Sequence, residues 1–168
     1  MAKTKGGKNG INLKDYTAFF LGTGALVLLD QLTKYLVARA LPLNTGEVII
    51  RGFLNLVHIH NPGGAFSIFA GQNSEWKRPI FVLLTLVVVG IIFYAYGKVS
   101  KGDWWNRAAY IGVCGGAIGN LIDRIRMGEV IDFVDCYVGD WHWPAFNVAD
   151  SAISVGAVML LISLLRGK

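Results

Sequence analysis

The stretch PIFVLLTLVVVGIIFYAYG (residues 79–97) decides the fold, because it carries no charge and is bracketed by Lys77-Arg78 and Lys98. An α-helix needs about 20 mostly apolar residues to cross the hydrocarbon core of a bilayer, and this run supplies them. Working outward, three more apolar segments appear, at 16–38, 106–124 and 148–166. Each reaches spanning length only by taking in charge: Asp30 and Lys34, Asp123 and Arg124, or Asp150. The chain as a whole is 54% hydrophobic and 16% charged, against roughly a quarter charged in soluble domains. The reading is a mostly α membrane protein of one domain (1–168), with four transmembrane helices.

Residues 1–15 are basic and Gly-rich and read as a disordered cytoplasmic tail; no small-residue cleavage site follows, so the first apolar run is taken as a retained span. Lysine and arginine set the orientation. The side holding both termini and the 98–107 loop carries Lys3, Lys5, Lys8, Lys14, Lys98, Lys101, Arg107, Arg166 and Lys168. The opposite side has fewer, spread over longer loops, so both termini are expected in the cytoplasm. The tryptophans fall where membrane interfaces would lie, and interfacial belts account for them.

The loop at 42–78 is more than a linker. Residues 47–50 and 53–60 are strand-like, the second with alternating polarity, and Asn61-Pro62-Gly63-Gly64 is a turn signal. A small β-sheet on the extracytoplasmic face is expected. The net charge of +5 is not gathered into a basic, aromatic-interleaved stripe, which argues against nucleic acid. Cys114 and Cys136 are too few for a disulfide framework. His58 and His60 lack further ligands at metal spacing and read as exposed strand polarity. No metal and no cofactor is implied.

Span order brings the unusual polar residues to one end. Asp30 and Lys34 close the first span, Asp123 and Arg124 the third, and Asp150 opens the fourth from the same side, with Asn120, Asp132 and Asn147 beside them. Ionisable groups at membrane depth are costly and mark function. Asp30 and Lys34, four apart, can neutralise each other on one helix face; Asp123 and Arg124 are adjacent and so point to separate elements. Asp132 and Asp150 have no such partner nearby. Two buried carboxyls sharing a proton can activate water and polarise a carbonyl. The residues alone leave that catalytic role and a structural or proton-relay role both open, and they do not separate Asp132 from Asp135. A small proton-coupled carrier is the rival function; it would favour acids at the midplane and an internal repeat, and neither is evident.

In these blocks the chain resembles the lipoprotein signal peptidases (type II signal peptidases). They run Asp30-Gln31-Leu32-Thr33-Lys34, Asn61-Pro62-Gly63-Gly64-Ala65-Phe66, Gly116 through Arg124, Val130-Ile131-Asp132-Phe133, and Phe146 through Ile153. Gly64 stands where the family often has alanine. The resemblance implies an aspartyl endopeptidase of the bacterial inner membrane, active toward the outer leaflet. It would cut diacylglyceryl-modified prolipoproteins just before the lipidated cysteine, with Asp132 and Asp150 as the catalytic pair. Asn61, Gly116, Asn120, Asp123, Arg124 and Asn147 would line or support the site, and Asp30 and Lys34 would stand behind it. The expected partners are precursor substrate and membrane lipid, with the enzyme acting as a monomer.

Overall fold

The computed structural model describes residues 16–63 and 77–167. The basic N-terminal segment and the Gly64-Ala65-Phe66 part of the turn signal lie outside them. Eight elements follow in order: α1 (Thr17–Ala40), β1 (Gly46–Ile50), β2 (Leu54–Asn61), α2 (Lys77–Tyr96), α3 (Trp104–Met127), β3 (Val130–Val138), β4 (Trp141–His142) and α4 (Val148–Leu165).

Local chemistry fixes the helix ends. Leu41 precedes Pro42, whose ring disfavours helical geometry in its neighbour, and α1 stops there with Leu41 extended. α3 starts on Asp103, whose carboxylate accepts from Asn106 N, and ends on Gly128 at φ +82, a left-handed conformation that glycine adopts without steric cost. α4 opens with a capping box. The Asn147 side chain accepts from Asp150 N, and the Asp150 carboxylate accepts from Asn147 N, so two of the orphan donors at this end are satisfied.

α2 and α4 are each long and apolar enough to cross a membrane. α1 and α3 carry more polar and charged residues, yet α1 too turns large apolar side chains outward: Leu21, Leu28, Leu32 and Leu36 are all exposed, like Leu83 and Ile91 of α2 and Leu161 of α4. At one end of the bundle Tyr16, Phe19, Ile92, Tyr96 and Cys114 form a buried cluster, with Arg107 over the Tyr96 ring. α3 and α4 approach closely at Gly116, where a Cβ would sit 2.3 Å from Ala149 O.

The sheet is antiparallel with order β1-β2-β3-β4. Its first two strands match the sequence expectation. β3 and β4 were not anticipated, because Val130–Val138 lacks alternation: its first four residues are all buried. A bulge explains part of this. The β2–β3 register shifts between Leu56 and Ile59, and the consecutive amides of Phe133 and Val134 both donate to Phe146 O, at 3.0 and 2.8 Å. Such bulges re-aim side chains beside functional sites. Here the bulge lies between Asp132 and Asp135, so their spacing of three does not fix their relative directions.

His58 departs from the sequence reading. It is buried rather than exposed, its Nδ1 lying 2.9 Å from Leu41 O. The cause is the fold of the 41–45 loop, which hydrogen-bonds to the His58 backbone on both sides and covers the ring.

Candidate active site

Where the sheet meets the ends of α3 and α4, a cavity of about 460 Å³ opens. Its polar lining includes Asn61, Asn120, Arg124, Asp132 and Asp150, and its apolar wall includes Trp143, Pro144, Phe146 and Ile153. Asp132 comes from β3 and Asp150 from the first turn of α4, elements that Asn147 joins. Its Nδ2 donates to Asp132 Oδ1 at 2.8 Å and to Ile131 O at 3.1 Å, while its Oδ1 accepts from Asp150 N at 2.9 Å. Asn147 is fully buried, so a single rigid amide sets the position of one aspartate against the other.

The remaining carboxylate oxygens also meet amides. Asn61 Nδ2 donates to Asp132 Oδ2 at 3.0 Å, and Asn120 Nδ2 donates to Asp150 Oδ1 at 2.7 Å. Among the described residues neither aspartate makes an ion pair. Burial pushes the Asp132 carboxyl up to about 7 and the Asp150 charge pushes the same way, while hydrogen bonds from Asn61 and Asn147 oppose the rise. Such a carboxyl exchanges its proton near neutral pH, which is what general acid–base chemistry at that pH requires.

Behind the cavity lies a second carboxylate pair with a different environment. Lys34 Nζ is 2.8 Å from Asp30 Oδ2, 2.7 Å from Asp123 Oδ2 and 2.9 Å from Asn120 Oδ1. All three ammonium hydrogens are thereby used. Asp30, Lys34 and Asp123 are each no more than 1% exposed. Asp30 Oδ1 also accepts from Ala149 N at 2.9 Å, which answers an orphan amide of the α4 N-terminus. The i, i+4 pairing read from sequence is present, but Asp123 joins it instead of reaching Arg124. Arg124 instead donates to Gly63 O at 3.2 Å, which ties the Asn61–Gly63 turn to α3, and it lies over the Phe81 ring of α2.

Asp135 faces other partners: Asn55 Nδ2 at 2.8 Å and His142 Nδ1 at 2.8 Å. It does not line the cavity that Asp132 and Asp150 share. Gly116 does not line it either; its contribution is the close α3–α4 approach. Gln31 was missed by sequence reasoning. Its Nε2 donates to Asp123 Oδ1 at 2.9 Å and to Gly119 O at 3.1 Å, and lies 3.2 Å from Asp30 Oδ2. The available signal was its i, i+3 relation to Lys34, which puts the two on neighbouring faces of one helix. Gly119 was missed too; a Cβ there would sit 2.6 Å from Asp30 Oδ2.

The comparisons with known proteins agree along nearly the full chain. The family model of signal peptidase (SPase) II matches residues 23–166. The lipoprotein signal peptidase of Desulforapulum autotrophicum is 40% identical over 158 residues, 94% of this chain and 98% of that one. That of Syntrophotalea carbinolica is 43% identical over 153 residues, 91% and 94% of the two chains. A solved bacterial membrane enzyme, determined by the in meso method, superposes with a TM-score of 0.79 at 31% identity, covering 89% of this chain and 88% of its own. None of these relatives supports a carrier. The chain belongs to the signal peptidase II family.

Proposed function

We propose that this protein is an aspartic-type endopeptidase that removes signal peptides from diacylglyceryl-modified prolipoproteins, cutting just before the lipidated cysteine. The observation that carries the mechanism is the pairing of Asp132 and Asp150 across one cavity, held by Asn147 and met by amides instead of cations. In this scheme the two carboxyls share one proton. The ionised member takes a proton from water as that water attacks the scissile carbonyl carbon, and the protonated member donates to the carbonyl oxygen. The C–N bond then breaks as one carboxyl gives its proton to the leaving amine of the cysteine and the other takes a proton from a hydroxyl of the tetrahedral intermediate, which restores the shared proton. Asn61, Asn120 and Asn147 hold the carboxyls in place, and the Trp143–Phe146 wall shields the site from bulk water.

The same reading takes all four helices as spans, with the sheet and cavity on the extracytoplasmic side and both termini in the cytoplasm. The outward-facing leucines of α1 support it, since a soluble helix would not bare them. The basic residues of the 98–107 loop support the orientation. Spans at about 16–38, 79–97, 106–124 and 148–166, a monomeric enzyme and lateral contact with membrane lipid complete the scheme.

The test is cleavage of a diacylglyceryl-modified lipobox precursor by detergent-purified protein. Native and Asp135→Asn protein should cut, whereas Asp132→Asn and Asp150→Asn should not. Loss with Asp135→Asn but not Asp132→Asn would move the pair to Asp135. A folded native protein that leaves the precursor intact would refute the reaction itself.

A further inference from the structure

Asn120 is held from both ends by groups of fixed hydrogen-bonding character. Its Oδ1 faces the Lys34 ammonium at 2.9 Å, a group with donors only, and its Nδ2 faces Asp150 Oδ1 at 2.7 Å. Turning the amide over would set N–H against ammonium and carbonyl oxygen against carboxylate, two unfavourable contacts in a buried site. We propose that Lys34 is a positioning residue for the reaction: it locks the Asn120 amide so that an N–H always points at Asp150 Oδ1. The proposal rests on the reading of Asp132 and Asp150 as the catalytic pair.

The lock matters because Asp150 alone would not maintain it. An ionised carboxylate draws the Asn120 N–H toward itself, but a protonated carboxyl can donate, and an unrestrained amide could then turn its oxygen to receive that hydrogen. With Lys34 in place Oδ1 stays an acceptor in either protonation state. The proton of Asp150 is left to Oδ2, whose protein contact is the longer 3.3 Å bond from Asn147 N. The other donor to Asn120 Oδ1, Asn147 Nδ2, is longer at 3.2 Å and is shared with Ile131 O and Asp132 Oδ1, so it cannot replace the ammonium. Asp30, Asp123 and Gln31 complete the device. The two carboxylates take the other two ammonium hydrogens, and Gln31 bridges them from α1 to Gly119 O of α3. Lys34 therefore has one geometry available, and that geometry points at Asn120.

The experiment is a double-mutant cycle on the full-length protein in detergent, with kcat and KM for the lipidated precursor. Lys34→Met and Asn120→Ala should each lower kcat roughly 10- to 100-fold, the scale of a misplaced catalytic group, with KM within about threefold. The double variant should be no slower than Asn120→Ala alone, within about twofold, because Lys34 acts only through Asn120. Multiplying losses, a defect confined to KM, or full activity in Lys34→Met would overturn the proposal. Lys34→Met leaves two carboxylates without their cation, so Lys34→Met/Asp123→Asn, which keeps the net charge of the cluster, is measured beside it. If neither variant folds, Lys34 is structural and the proposal fails. Asp150→Asn is the control: activity surviving there would overturn the catalytic pair itself and not the lock.

Discussion

Two pairs of aspartates lie at the same end of this molecule, and they are built in opposite ways. Asp30 and Asp123 share an ammonium. Among the described residues the Asp132 and Asp150 carboxyls receive only amide hydrogens and face a cavity. A carboxylate held against an ammonium is committed to its ion pair, and Asp30 and Asp123 do not line the cavity. The Asp132 carboxyl, raised by burial and met by neutral donors, keeps its proton within reach at neutral pH. Direct contact with a cation thus separates the structural pair from the candidate catalytic one.

Exchanging the damage between the pairs gives the largest contrast. Asp150→Asn should abolish cleavage and lower the melting temperature only modestly, since one hydrogen bond and no ion pair is lost. Asp30→Asn should cost about 3–5 kcal/mol of stability, the usual consequence of breaking a buried pair, read as a drop in thermal unfolding temperature in detergent. Equal destabilisation by both substitutions would erase the distinction. Next in size is Gly116→Ala, whose Cβ would meet Ala149 O. Overpacking of this kind costs about 1–3 kcal/mol and should also slow cleavage by shifting the first turn of α4, which carries Asp150.

A third contrast is in pH. The Asp132 carboxyl is raised to about 7, so between the ordinary aspartate range near 4 and about 7 the native state holds a proton that the unfolded chain has released. That contribution is complete below the unfolded value and is lost as pH rises through about 7. Asp132→Asn removes the dependence, so its melting temperature should gain on native protein by several degrees between pH 5 and pH 8. A gap that stays constant would contradict the raised value. The smallest expected effect is Gly24→Ala on α1, where an added Cβ meets nothing within 4 Å. It should leave cleavage unchanged and add up to about 1 kcal/mol of stability, the helix-propensity difference.

The sequence by itself determined a great deal. The apolar run at 79–97 and the charge-poor composition required a lipid-facing helical protein, because each apolar side chain prefers hydrocarbon wherever its neighbours lie. The Asn147–Asp150 capping box is also a local event, set within four residues. Span order then predicted that Asp30, Lys34, Asp123 and Asp150 would gather at one end, and the structure brings them there. The residues by themselves left Asp132 and Asp135 open, and the family resemblance pointed to Asp132. The tertiary structure sets Asp132 and not Asp135 in the cavity, because that depends on a bulge opposite Phe146 and on which partners each acid meets. It alone paired Asp123 with Lys34 rather than with the neighbouring Arg124, and it alone buried His58 beneath the 41–45 loop. Hydrogen bonds and ion pairs act over about 3 Å between residues that can be 90 positions apart, so their identity is fixed by packing, whereas the hydrophobic pattern acts residue by residue and is legible in the chain.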